Sequence, residues 1–170
     1  MKDTFQMFAA YNHWANGVVY GAAAALTPEE FSADKGAFFG SLMGTLNHLV
    51  CADRIWMRRF TGRGDAPSAL NVIVHTELGT LKQTRDAEDS RIIDWIDSVD
   101  DATLAGNFTY VPITTPQPVT QKLGSALFHF FNHQTHHRGQ CHMILTALGK
   151  PSVTLDMVSF QRSFEGGRFL

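Results

Sequence analysis

Cysteine is almost absent from this chain. Only Cys51 and Cys141 occur in 170 residues, too few for the disulfide framework of a small secreted domain. Long apolar runs are missing too. The longest, Gly17 to Leu26, is ten residues and rich in alanine, against the roughly 20 needed to span a bilayer. Asp3, Asn12, His13 and Asn16 interrupt any apolar region near the start, and one lysine is a poor basic flank, so no signal peptide is expected. An excess of positive charge is lacking as well. The formal net charge is −2, with no basic tail, which argues against duplex nucleic acid or an anionic membrane surface as partner. No internal repeat is visible. With 44% hydrophobic and 18% charged residues, the composition is that of an ordinary globular chain. One domain over residues 1–170, in the cytoplasm, is the expectation.

What is present is helical periodicity. A first helix is predicted from about Thr4 to Ala25, with Phe5, Phe8, Ala9, Trp14, Val18 and Val19 towards one side. Thr27-Pro28-Glu29-Glu30 reads as a turn that places proline at a first helical position. Ser41 to Phe60 repeats Leu42, Leu46, Leu49, Trp56 and Phe60, and Gly62 to Pro67 ends it. A third helix starts near Thr76 and carries Leu78, Leu81, Ile92, Ile96 and Val99. Leu123 to Leu148 contains no proline and stops at Gly149 and Pro151. Between the last two, Phe108 to Thr120 mixes threonine and β-branched residues with three prolines, which predicts a short hairpin or extended flap. Thr154 to Phe164 predicts a short terminal helix. The fold class expected is all-α: a four-helix bundle with long connections, a flap before the last long helix and a short C-terminal helix.

The last long helix carries Phe131-Asn132-His133-Gln134-Thr135-His136-His137-Arg138-Gly139-Gln140. His133 and His137 stand one turn apart on one face, so both reach a single divalent ion with bonds of about 2.0–2.1 Å. His129 shares the stripe, but eight residues span about 12 Å, so His129 and His137 cannot serve one ion. A third ligand must come from another helix. His48, in mid-helix among apolar residues, is the best candidate; a core histidine bonded to a neighbour is the open alternative.

Other polar residues have competing readings. Asp53, five residues after His48 and about 140° round the helix, is either a weak candidate for a general base or a solvated or ion-paired carboxylate. Cys51 and Cys141 are core residues before they are ligands. His13 either lines the cavity or is partly exposed, and His129 either carries protons above an ion or simply packs. His136 and Arg138 point off the stripe, towards pairing at a surface or interface. Gly139 is expected to allow a close helix approach, and Phe128, Phe130, Phe131, Trp14 and Trp56 to be core. His-Gln-Thr-His-His has Gln134 where His-Glu-x-x-His has its general base, which disfavours a zincin protease.

Three segments together resemble the DinB family of four-helix-bundle metalloproteins: Tyr11-Asn12-His13-Trp14-Ala15-Asn16, the stretch His48 to Trp56 with its later acid and Ile-Trp, and the run His133 to His137-Arg138-Gly139-Gln140. The resemblance implies a bundle with an unusual helix order, often dimeric. It implies a metal triad of His48, His133 and His137 holding one zinc, nickel or other divalent ion. Some relatives are thiol-dependent transferases or isomerases, so a low-molecular-weight thiol and an electrophilic substrate are implied, with a metal-dependent hydrolase or a non-catalytic metal-binding protein as alternatives.

Overall fold

The structure is a computed structural model that describes residues 1–113 and 115–170. Four long helices dominate: α1 (Lys2–Ala23), α3 (Leu42–Thr61), α4 (Leu78–Ser98) and α6 (Leu123–Ala147). Short helices α2 (Pro28–Ser32), α5 (Asp101–Ala105) and α7 (Met157–Gln161) sit in the connections and the C-terminal segment. Strands β1 (Asn107–Tyr110) and β2 (Val119–Lys122) form an antiparallel hairpin, with Asn107 opposite Lys122. The expected all-α bundle with a flap and a short C-terminal helix is therefore present, and the bounds of the long helices differ from expectation by at most two residues. Local chemistry explains several boundaries. Ser41 caps α3 by accepting from the Gly44 amide, and Gly62 closes it at φ 70°. Thr27 and Glu30 form a reciprocal capping box ahead of Pro28.

The bundle is not a simple meander. α1 packs against α4 and α6, and α3 packs against the same two helices. Successive helices α1 and α3 therefore lie across a diagonal, as do α4 and α6. Side-chain pairs set the directions. Gln6 bonds Asp97 while Asn16 bonds Asp89, so α1 and α4 are antiparallel. Asp53 meets Arg85 while Thr61 meets Arg91, so α3 and α4 are parallel. The parallel pair requires residues 62–77 to run back along the bundle, which is why that connection is long.

The interior is layered. One end holds an apolar cluster that includes Phe5, Met57, Ile92, Ile96, Leu127 and Phe130. The other holds Val19, Leu46, Leu49, Leu81, Ile144 and Leu145, joined by Cys141. Between them each long helix turns polar on its inner face: Asn12 and Asn16 on α1, Asp53 on α3, Arg85 and Asp89 on α4, Gln134 and Arg138 on α6. Two expectations fail at this level. Arg138 is 1% exposed and belongs to this layer, not to a surface. Phe128 is 49% exposed, because it lies about 100° round the helix from Leu127, at the outer edge of the stripe that Leu127, Phe130 and Phe131 bury.

Candidate metal centre

The seam between α3 and α6 carries the histidines. His48 Nε2 lies 3.2 Å from His133 Nε2 and 3.2 Å from His137 Nε2. All three ligand nitrogens fall within 4.8 Å of one another. His48 and His137 are buried and His133 is half-buried. The two helices are antiparallel here, so His48 meets the one-turn pair of α6 from the opposite side. His129, one turn further, stays outside the cluster and packs on Trp56, as the 12 Å span requires.

Hydrogen bonds fix how the rings present themselves. Nδ1 of His48 contacts the Leu70 carbonyl at 2.8 Å, and a carbonyl only accepts, so this nitrogen carries the proton. Nδ1 of His137 donates to Gln140 Oε1 at 2.8 Å, and the Nε2 of the same amide donates to His136 Nε2 at 3.2 Å. The Nε2 atoms of His48 and His137 are then both acceptors, and facing lone pairs 3.2 Å apart cannot bond each other. A cation between them removes the conflict. Nitrogens bound at about 2.0–2.1 Å in tetrahedral geometry lie about 3.3 Å apart, close to the spacing found. Imidazoles that give their second N–H to carbonyl or amide oxygen are the usual supporting arrangement of metal-binding histidines. The residues fit a divalent ion.

Electrostatics agree. Burial pushes the His48 imidazole down to about 4, against the Leu70 carbonyl, and His137 adds to the drop. Burial and its neighbouring histidines take His133 down to about 3. Burial also lowers His137, against its bond to Gln140. All three are neutral, ligand-ready imidazoles near pH 7.

The connections wall the site. Phe39, ahead of α3, stacks on His48 with ring centroids 3.9 Å apart. The returning segment is pinned to α3: Asn47 accepts from the Val74 and His75 amides, and Cys51 Sγ donates to the Val72 carbonyl. On the open side, a cleft of about 250 Å³ reaches His133 past Trp56, Tyr110, Ile113 and His129.

The remaining candidates resolve as follows. Cys51 is buried and Cys141 lies in the apolar core, and neither joins the triad. Asp53 is no base for this site. Fully buried, it accepts from Arg85 Nη1 at 2.6 Å and from Gln134 Nε2. Arg85 also reaches Asp89 at 3.0 Å, so one guanidinium serves two carboxylates. Burial outweighs Arg85 at Asp53 and raises it to about 7. At Asp89, Arg85, His13 and Asn16 outweigh burial and lower it. Arg138 Nη1 donates to the side-chain oxygens of Asn12 and Asn16. His13 is half exposed, its Nδ1 3.7 Å from Asp89. Gly139 fails as a close-approach residue, because a Cβ there meets nothing within 4 Å. Sequence reasoning missed Gln140, Phe39 and the Leu70 carbonyl. Only Gln140 had a signal, its position three residues after His137 on one helix face.

Among the described residues no helix is long and apolar enough to cross a membrane. A model of the DinB family matches residues 1–167 of the chain. No curated protein matches it.

Proposed function

The chain belongs to the DinB family, and from that premise we propose that His48, His133 and His137 bind one divalent ion, zinc or nickel, at the centre of a thiol S-transferase or isomerase. The observation that carries the metal reading is the meeting of two proton-free Nε2 atoms at 3.2 Å, each ring fixed from behind by a carbonyl or amide oxygen. Three neutral ligands leave at least one coordination position open, the pattern of catalytic rather than closed structural sites. A divalent ion held there would lower the pKa of a coordinated thiol towards neutrality. The residues of the chain do the rest. Phe39 shields the triad on one side, and Trp56 and Tyr110 give the cleft aromatic walls. His129, whose imidazole burial and the Arg59 charge hold below its ordinary value, is a neutral proton acceptor beside His133.

A hydrolase would need a base to activate water. The cleft lining contains neither Asp nor Glu, and Asp53 is committed to Arg85 and Gln134. Outside the triad, His129 is then the neutral base of the cleft among the described residues, and it would serve a metal-bound thiol or a metal-bound water alike, so the preference for thiol transfer rests on the family. We further propose a single-domain, cytoplasmic homodimer, supported by the family and by the groove where exposed Phe128 lies beside Phe8, Phe131 and Met157. Light scattering giving the 18.9 kDa of one chain at micromolar concentration would remove the dimer.

The deciding experiment is elemental analysis of untagged protein, followed by cobalt substitution and titration with glutathione, bacillithiol, mycothiol and cysteine. One ion per chain and a new near-ultraviolet sulfur-to-cobalt band with at least one thiol are expected. An intact cobalt site that gives no such band leaves a metal-dependent hydrolase or a non-catalytic metal-binding protein.

A further inference from the structure

The cleft above the triad has a charged end that the metal reading does not use. Arg59 lies eleven residues after His48 on α3, three turns along the same face. Its guanidinium sits 4.8 Å from the Trp56 ring centroid and 4.9 Å from that of Tyr110. Nη2 donates to the Val111 carbonyl at 3.1 Å. Two aromatic rings and one carbonyl thus hold the group in place, and the hairpin supplies both Tyr110 and Val111. Four of the five N–H donors of the fork have no hydrogen bond to the described residues.

No carboxylate among the described residues pairs with Arg59 or with Arg58 beside it. Arg59 lines the inner cleft and also an outer shelf of about 350 Å³, where Arg58 and Pro67 join it. Neither lining includes an acid, although the chain as a whole carries a net charge of −2. Burial holds the Arg59 guanidinium below its ordinary value, opposed by Tyr110 and by no carboxylate. Between this end and the triad the walls are Ile55, Trp56, Leu70 and Ile113.

We propose that this cleft binds a short-chain carboxylate, its anionic end on the Arg59 fork, its apolar middle along Trp56 and Ile113, and its other end at the triad. A planar fork on an aromatic platform is suited to bidentate recognition of a carboxylate. The length follows from the helix. Eleven residues rise about 16 Å, and an arginine side chain leaning back towards the helix N-terminus shortens the gap to roughly 10 Å. A two-carbon acid is too short. A metal–sulfur bond of about 2.3 Å and a carboxylate contact of about 2.8 Å leave about 5 Å, which a chain of about four bonds, at about 1.2 Å per bond, spans.

This rests on the triad being a metal site, and the test separates the two. Full-length cobalt-loaded protein is titrated with ω-mercaptoalkanoic acids of increasing length and with ω-mercaptoalcohols of the same lengths. The near-ultraviolet band reports the thiol end. Affinity of acid over alcohol is expected to peak at about tenfold near three to four carbons, as one charge-assisted bond pair requires. Arg59→Gln should bring that ratio to one while leaving cobalt stoichiometry and alcohol affinity unchanged. A flat acid-to-alcohol ratio in the unaltered protein, or a ratio that survives Arg59→Gln, overturns the proposal. If cobalt does not bind, the metal reading fails alone. Butanoate and butanol are then titrated into metal-free protein, following the Trp56 indole N–H by NMR. A carboxylate-specific shift lost in Arg59→Gln supports the arginine site, and equal shifts from both compounds overturn it.

Discussion

Two polar clusters share helix α6 one residue apart, and they are built on opposite principles. His133 and His137 face the seam with α3; Gln134 and Arg138, about 100° round the helix, face the bundle axis. The inner cluster is filled from within. Asn12, Asn16, Asp53, Arg85, Asp89, Gln134 and Arg138 bond one another across all four long helices, with Arg85 shared by both acids, while Gln134 Oε1 and the Nε atoms of Arg85 and Arg138 find no partner among the described residues. The outer cluster leaves its facing Nε2 atoms in conflict until something from outside joins them. A polar group satisfied by the protein holds a fold; one left facing its like awaits a ligand.

The largest effect should come from breaking the inner cluster. Arg85→Met leaves Asp53 and Asp89 buried without their shared cation, and losing one partner of a buried pair costs about 3–5 kcal/mol. Urea unfolding of metal-free protein should show that loss. A cost under about 1 kcal/mol would make the layer no more important than exposed ion pairs, and the contrast would collapse.

The triad should behave in the reverse way. His137→Ala is expected to leave the urea midpoint of metal-free protein nearly unchanged while abolishing stoichiometric metal binding. Added metal should stabilise the unaltered protein by about 2.7 kcal/mol at a hundred times its dissociation constant, and the variant not at all. A variant that keeps its metal rules out this ligand set.

Only part of this contrast is legible in the sequence. Apolar periodicity places the long helices, and His133 with His137 places half the triad, because both signals are local. His48 is a candidate from its mid-helix place among apolar residues and joins the triad through family resemblance, since a partner helix cannot be read from spacing. The inner layer escaped notice because Asp, Glu and Arg are so seldom fully buried. Yet Arg85 and Asp89 fall at helical spacing within the stripe Leu81, Ile92 and Ile96, which is the trace the layer leaves in the sequence. The diagonal order of helices leaves no such trace. It depends on which faces pair in space, and the 62–77 connection permits several.

Gly139 marks the outward side of the same helix and calibrates the smaller effects. Its missing side chain serves no contact. Gly139→Ala should therefore stabilise the protein by about 0.5–1 kcal/mol through helix propensity, with metal content unchanged. A loss of stability would show a packing role that belongs to neither cluster.

The subtlest difference between the clusters is carried by protons. His13 borders the inner cluster, and the Asp89 carboxylate 3.7 Å away outweighs burial and raises its imidazole above the ordinary 6.5. His48 and His133 meet no acid, and burial takes them to about 4 and about 3. The signs for stability are opposite. The raised His13 contributes stability that is complete below pH 6.5 and is lost as pH rises through its folded value. The depressed pair contributes stability present above pH 6.5 and lost as pH falls towards 4 and 3, because the unfolded chain takes up the protons first. NMR titration of the imidazoles in metal-free protein should find His13 above 6.5 and the other two well below it. Asp89→Asn should return His13 to its ordinary value or lower and leave His48 and His133 in place. If all three histidines titrate together near 6.5, the carboxylate at one cluster and its absence at the other do not set the difference between them.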